Sequence, residues 1–396
     1  MLVNSRSGVV TGGPGTGKTT ILKEALSRMR GRLVGLVAPT GKAAKRITEV
    51  TNTAAFTVHR LLDAKGGPGR WEYGYNAQNP LTHDVLIVDE SSMLDTETAA
   101  ALLDAVNTQK TRLFFMGDVD QLPSVGPGRV FEDIILSNAL PVVRLEKVHR
   151  SALESWVCRN APLILSGDID ILTGCPDFRA YKLSDAEKLA RTLTAMVTKS
   201  MPEAGIKDIQ VLAPQNSGDI GIEKLNNYLQ SAINPIQRIN GEDEPHFNAK
   251  TSKGGKYAIR ARDQVMATEN NYDKNVFNGE IGEVVEIKDD KMSVDFDGNV
   301  VDFTREEAAT LRLAYALTIH KSQGSEWDWV VVVVHGSHHY MWNRQLLYTA
   351  VTRAKKGVVM FYSDTGLASA LTNNDPRSRT TTLYNRIIEH ESDHRG

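Results

Sequence analysis

The stretch "TGGPGTGKTT", Thr11 to Thr20, decides the architecture. It follows a short apolar run, Gly8–Thr11, and opens an amphipathic one, "TTILKEALSRMR". Strand, glycine loop, helix is the context a phosphate cradle requires. Glycines let backbone N–H groups close on phosphate oxygens, and the helix N-terminus adds a favourable dipole. Gly12-x4-Gly17-Lys18-Thr19 matches the P-loop pattern. Lys18 neutralises the β and γ phosphates, and Thr19 offers its hydroxyl to Mg²⁺. Gly12, Gly13, Pro14, Gly15, Thr16, Gly17, Lys18, Thr19 and Thr20 are therefore read together as the nucleotide cradle.

A second half of the site follows in "VLIVDESSM". Its apolar strand ends in Asp89 and Glu90. Asp89 is placed to hold Mg²⁺ through water, and Glu90 to orient or deprotonate an attacking water. Alone, a strand-end acid pair says little. Beside a P-loop it favours hydrolysis over transfer to a small acceptor. The next apolar strand leads into "MGDVDQLPSVGPG", where Gln121 is in reach of a γ-phosphate or its water.

The chain has 396 residues, 41% hydrophobic and 24% charged, with a formal net charge of −2. The length suggests two or three domains. Whole-chain charge gives no sign of a nucleic-acid partner, though a local basic groove suffices to track phosphates. The two cysteines, Cys158 and Cys175, have no zinc spacing and form no disulfide framework. They read as free thiols in a reducing cytoplasm. No apolar run reaches the roughly 18 residues of a membrane span, and the N-terminus has no signal-peptide core.

Strand-like runs alternate with amphipathic helices, which argues for parallel sheets with helices on both faces. The first set is Gly8–Thr11, Leu33–Ala38, Val85–Asp89 and Arg112–Met116. A second set is Ile209–Ala213, Val330–Val334 and Val358–Tyr362. Between them, from about Tyr257 to Phe303, short alternating runs and turn signals read as a small antiparallel barrel. Ala64–Pro80, rich in Gly and aromatics, reads as a hairpin excursion from the first domain.

With these segments in hand, the chain resembles the RecD-like group of superfamily 1B helicases. The motifs run in order: "GGPGTGKTT", "APTGKAAKRI", "TVHRLL", "IVDESSM", "GDVDQLPSVG", "VHR", "YALTIHKSQGSEWD" and "LLYTAVTRAKK". The resemblance implies an α/β fold of two RecA-like P-loop domains with ATP between them. It implies a hairpin insertion in the first and an SH3-like β-barrel insertion in the second. The expected boundaries are 1–145 for the first domain, with the pin-like insertion at about 64–80. The second is expected at 146–250 and 311–396, with the barrel at 251–310. The implied activity is an ATP-dependent DNA helicase or translocase moving 5′ to 3′, with ATP and Mg²⁺ as cofactors.

The resemblance makes Arg150 and Arg353 arginine fingers, although Ser151 stands where a glutamine is usual. It puts Gly324 and Glu326 against the nucleotide. It assigns DNA contacts to Pro39, Thr40, His59, Asn278, Thr318 and His320. Locally, His59 reads equally well as a core histidine, and Asn278 as a turn residue. Trp71, Tyr73 and Tyr75 alternate, which places them on one face of a strand. They form either a wedge that splits duplex or a patch packing the loop onto its domain. Contacts of these kinds carry little sequence information.

The expected partners are single-stranded DNA, single-strand/duplex junctions and other replication or recombination proteins, with no membrane. Two other readings stand beside the helicase. One is a non-unwinding translocase subunit of a recombination or nuclease complex. The other is a P-loop kinase or switch without nucleic acid. Relatives carry an adenine-reading glutamine segment upstream of the P-loop, whereas Met1–Val10 hold no glutamine. Adenine is then held by other residues, or discriminated weakly, or the natural chain starts further upstream.

Overall fold

The structure, a computed structural model, describes residues 1–66, 71–147, 155–168, 175–204, 206–239, 241–250, 256–288, 290–373 and 381–395. The chain divides into two compact units. One is Met1–Glu154 with Pro376–Gly396, and the other is Ser155–Asp375.

The first unit is built on β1 (Ser7–Gly12), β2 (Val34–Ala38), β3 (Ala55–Thr57), β6 (Val85–Val88), β7 (Arg112–Gly117) and β8 (Val142–Leu145). They form one parallel sheet in the order β3-β2-β6-β7-β1-β8. Apolar residues run unbroken along the inner strands because both faces are covered. Successive residues divide between the two sides. Val9, Val37, Val88 and Phe115 pack with α4 (Thr96–Asp104) and α5 (Val130–Ser137). Val10, Leu36, Ile87 and Phe114 pack with α1 (Lys18–Arg28) and α2 (Gly41–Thr51). The hairpin excursion consists of β4 (Ala64–Lys65) and β5 (Glu72–Tyr73), which pair antiparallel.

The C-terminal segment, expected with the second domain, lies in the first unit. The helix Leu383–Arg395 packs on α5, Leu383 joins the core of that face, and Thr381 Oγ1 donates to Asp133 Oδ2 at 2.6 Å. α5 buries Val130, Phe131, Asp133, Ile134, Ile135 and Ser137. A helix covered on so many sides needs a second element on top of it, and sequence periodicity does not say which one.

In the second unit, β9 (Phe178–Lys182), β10 (Ile209–Ala213), β20 (Ala316–Thr318), β21 (Trp327–Val334) and β22 (Ala354–Tyr362) form a parallel sheet ordered β20-β10-β21-β22-β9. Between β10 and β20 the chain leaves the sheet. The helix Ile222–Ile233 comes first, then two hairpins, β11 (Arg238–Ile239) with β12 (Glu242–Asp243) and β13 (His246–Lys250) with β14 (Lys256–Arg260). An antiparallel barrel sheet follows, made of β15 (Gln264–Ala267), β16 (Ile281–Lys288), β17 (Lys291–Phe296), β18 (Asn299–Thr304) and β19 (Leu311–Leu313). One continuous core joins the barrel's Val265, Val294 and Phe296 to Val211 and Val331 of the parallel sheet.

A polar node pins this insertion in place. Asp263, fully buried, lies in the turn between β14 and β15, just after Arg262 in the left-handed region (φ 68°). Its carboxylate accepts from Gln230 Nε2 (2.5 Å), Asn234 Nδ2 (2.7 Å), Tyr315 Oη (2.8 Å) and the Arg260 amide (2.8 Å). Burial pushes its pKa up, and these four donors oppose the shift. Removing the carboxylate strands four buried donors. Asp263→Ala is expected to destabilise the second unit by roughly 2–4 kcal/mol. Urea unfolding checks this, with the first unit's transition as the internal reference.

Candidate nucleotide and strand-binding sites

In the cradle, Gly15 (φ 70°) and Gly17 (φ 84°) take left-handed conformations that a side chain would strain. Gly17 caps α1 with no side-chain hydrogen bond, so the first-turn amides face outward unclaimed by a cap. Lys18 Nζ folds back to donate to the carbonyls of Gly12 (2.5 Å) and Gly13 (3.1 Å). Those carbonyls occupy the acceptor role that phosphate oxygens take in a loaded P-loop. Thr16 Oγ1 donates to the same Gly13 carbonyl at 2.8 Å. Thr19 and Thr20 are exposed. Gly12 admits no side chain, because a Cβ there would meet Thr16 Oγ1 at 2.7 Å and Leu145 Cβ at 2.9 Å.

β6 delivers Asp89 and Glu90 to the same end of the sheet. The Asp89 amide donates to Val37 O (2.9 Å), and Asp89 Oδ1 accepts from the Glu90 amide (2.9 Å). Glu90 adopts a left-handed backbone (φ 51°), an uncommon state for a residue with a side chain. Burial, then the neighbouring Glu90 charge, push the Asp89 pKa up to about 6, and Lys18 and Arg46 oppose the shift. A partly buried acid pair of this kind is short of positive charge, which is the condition a divalent cation relieves. Mg²⁺ therefore fits the donor set of Asp89 and the exposed Thr19 hydroxyl. Gln121 is nearly buried and donates to Asp118 Oδ2 (3.1 Å), while the Val119 amide donates to Thr11 Oγ1 (3.3 Å). That ties the β7 loop to β1. Sequence reasoning missed Arg46 as a charge partner of Asp89 and Asp118 as the anchor of Gln121. The only available signal was that both lie within quoted motifs.

In the second unit, Arg353 is 2% exposed. Its guanidinium donates to Thr349 O (3.2 Å) and Ser325 O (3.3 Å) and lies 3.5 Å from Thr352 Oγ1. It has no carboxylate partner among the described residues. The structure thus joins Arg353 to the segment carrying Gly324 (φ 73°) and Glu326. Arg150, the other expected finger, lies outside the described residues.

The strand-contact candidates fall on both units. β2 and β3 pair so that Ala38 faces Thr57, and Pro39–Thr40 and Val58–His59 leave the sheet side by side. Thr40 Oγ1 caps α2 by accepting from the Ala43 amide at 3.3 Å. Thr318 and His320 share the corner after β20, where Thr318 Oγ1 accepts from the Lys321 amide (3.4 Å). Asn278 sits exposed in the turn before β16, its amide donating to Asn270 Oδ1 (2.9 Å). The single strand face expected for Trp71, Tyr73 and Tyr75 is a two-residue strand, Glu72–Tyr73. Trp71 and Tyr73 turn onto His59, with ring centroids 4.8 and 6.4 Å away, while Tyr75 is 36% exposed. Ring packing against His59 replaces the regular alternation. It also half-buries that histidine, and burial lowers its pKa against the pull of Asp95.

The fold and the phosphate site define a P-loop NTPase built on two RecA-like sheets with an SH3-like insertion. Three family models match the sequence: an AAA domain over residues 1–182, the SH3 domain of ATP-dependent RecD-like DNA helicases over 225–296, and a UvrD-like helicase C-terminal domain over 313–361. The chain is 38% identical to the ATP-dependent RecD2 DNA helicase of Deinococcus radiodurans, over 98% of this chain and 51% of that protein. It is 30% identical to the RecBCD enzyme subunit RecD of Mycolicibacterium smegmatis, over 96% of this chain and 72% of that one. Among solved structures it resembles a Bacteroides Pif1 helicase in complex with ADP-AlF3 and ssDNA, with a TM-score of 0.57 at 19% identity. That match covers 100% of this chain and 95% of the other. It also resembles Pif1 of Candida albicans, with a TM-score of 0.58 at 18% identity over 98% and 95%. The chain belongs to the RecD-like family of superfamily 1B helicases, and it spans about half the length of the Deinococcus relative. No helix among the described residues is long and apolar enough to cross a membrane.

Asp89 yields a signed pH test. Its folded-state pKa of about 6 lies above the ordinary 3.8, so the folded protein keeps a proton that the unfolded chain releases. Stability from this group is full below about pH 4 and is lost as pH rises to about 6, by about 3 kcal/mol. Without nucleotide, Asp89→Asn is expected to flatten that slope and to raise stability at pH 7. Urea titrations at pH 4.5 and 7 measure the difference.

Proposed function

We propose that this chain is an ATP-driven motor on single-stranded DNA, moving 5′ to 3′ and unwinding duplex as it advances. The observation that carries this is the cradle with its Asp89–Glu90 pair, set in a chain of the RecD-like family. Lys18 is proposed to exchange the carbonyls of Gly12 and Gly13 for the β and γ phosphates. Thr19 and Asp89 would hold Mg²⁺, which supplies charge neutralisation on the phosphates. Glu90 orients or deprotonates the attacking water, with Gln121 beside it. Arg353 and Arg150 are the proposed γ-phosphate ligands that couple hydrolysis to movement. Gly324 and Glu326 are proposed nucleotide contacts, and Arg353's bond to Ser325 supports treating that segment as part of the same machinery.

Pro39, Thr40, His59, Asn278, Thr318 and His320 are proposed to hold the strand through phosphate and base faces. Binding then falls steeply with salt. The tilted packing of Trp71 on His59 supports a second proposal, that the duplex-splitting aromatics lean on a strand contact. Several relatives bear the name of a RecBCD enzyme subunit, which favours a second reading, a translocating subunit within a larger recombination assembly.

ATP hydrolysis with and without single-stranded DNA tests the motor, and a 5′-tailed duplex tests unwinding. Stimulation by DNA is expected. Its absence would sink the motor reading, whereas stimulation without unwinding would select the subunit reading. Arg353→Ala is expected to lower kcat by about a thousand-fold or more with nucleotide binding retained, as fluorescent-nucleotide titration would show. Trp71→Ala combined with Tyr73→Ala is expected to cut unwinding roughly ten-fold while DNA-stimulated hydrolysis persists. A patch that merely packs the loop would instead lower stability and both activities together.

A further inference from the structure

Beside the Thr318 corner the second unit encloses a cavity of about 280 Å³. Its walls come from β14, β15, β19, β20 with the corner after it, and the start of the helix Ile222–Ile233. Ile222, Met266 and Leu313 make one side apolar. The other side is polar and carries two cations, Arg312 and Lys321. Arg312 donates to the carbonyls of Ala309 (2.6 Å) and Leu311 (2.8 Å) and has no carboxylate partner among the described residues. Lys321 likewise has no side-chain hydrogen bond or ion pair among them. Burial and the Arg312 charge both lower its pKa, so the two cations crowd each other. Glu223, the one acid on the wall, lies near Tyr257. The Tyr257 hydroxyl is enclosed, with the Arg312 side chain and the Leu313 backbone as its nearest polar neighbours.

Two crowded cations with no carboxylate partner among the described residues, an enclosed hydroxyl and an apolar wall call for one kind of ligand. It has an anionic end and a flat, largely apolar body with a polar edge. A nucleotide meets this description. The volume stands at the small end of ligand sites, which run about 300–1,000 Å³, so it suits a single nucleoside and excludes a stacked pair. Thr318 also lines the cavity, which places the rim on the surface proposed above to carry the strand.

We propose that this cavity is a base pocket. One nucleotide of the bound strand turns its base inward against Met266, Leu313 and Tyr257, and its phosphate lies between Arg312 and Lys321. The inference rests on the strand-tracking reading of Thr318 and His320. It adds to that reading a fixed register. A single captured base interrupts the stack and must leave its pocket whenever the second unit advances along the strand, whereas backbone contacts alone would allow sliding.

An abasic scan tests it. Single strands of about 10 nucleotides, each lacking one base at a different position, are bound to the full chain without nucleotide. Loss of the captured base is expected to weaken binding roughly ten-fold, and loss of any other by less than about three-fold. Asn227→Trp, on an exposed position of the cavity wall, plugs the pocket, and Arg312→Gln removes the anion end. Either variant is expected to flatten the scan. A profile already flat in wild type, or unchanged in both variants, overturns the pocket. Free dTMP is the second arm. Saturable binding that Asn227→Trp abolishes, combined with a flat scan, would assign the cavity to a free mononucleotide and overturn the strand version. DNA-stimulated ATP hydrolysis is measured alongside. If stimulation is absent the strand-tracking reading itself fails, and if it is present with a flat scan only the pocket fails.

Discussion

A partly buried carboxylate beside a second acid, at the end of β6, is the constraint around which the first unit is arranged. Asp89 and Glu90 stand side by side, and desolvation, then the neighbouring Glu90 charge, raise the Asp89 pKa to about 6. Lys18 and Arg46 are the cations that soften this. Lys18 is meanwhile turned back onto its own loop, bonded to Gly12 and Gly13. The carbonyls of Gly12 and Gly13 hold Lys18 in the acceptor role that phosphate oxygens take in a loaded P-loop, and crowded charge of this kind is common at functional sites. The left-handed backbone of Glu90 belongs to the same site.

The second unit solves a different problem. An antiparallel barrel has to be attached to a parallel sheet through two short crossings of the chain. Apolar packing provides the bulk of the attachment, through one core that runs from Phe296 to Val331. It does not fix the angle between the two pieces, because apolar contact is not directional. Asp263 does, by drawing Gln230, Asn234, Tyr315 and the Arg260 amide to one carboxylate. The cavity under Thr318 lies between the barrel strands and the helix Ile222–Ile233, whose Gln230 the same node binds.

Much of this was legible in the chain as written. The strand–glycine–helix order around Lys18 and the apolar run ending at Asp89 are contiguous, so their chemistry and context can be read together. The parallel sheets follow from unbroken apolar runs such as Val330–Val334, and the barrel from the alternation in "MSVDF". The aromatics at 71, 73 and 75 were legible as an alternating set but not in their disposition. Their strand is two residues long, and the rings of Trp71 and Tyr73 are claimed by His59. The terminal helix reads as a polar tail and could not be assigned to α5, since its partner is more than two hundred residues away.

The sequence alone determined the chemistry of the cradle, the class of each sheet and the family, because those depend on residue types at fixed short spacings. Tertiary structure decided which distant groups share an environment. It set Arg46 within reach of Asp89's charge, docked Arg353 on Ser325, packed Trp71 against His59 and closed a cavity between Tyr257 and Lys321. Burial and Coulomb energies act through space, and no local pattern encodes a distance between residues that only folding brings together.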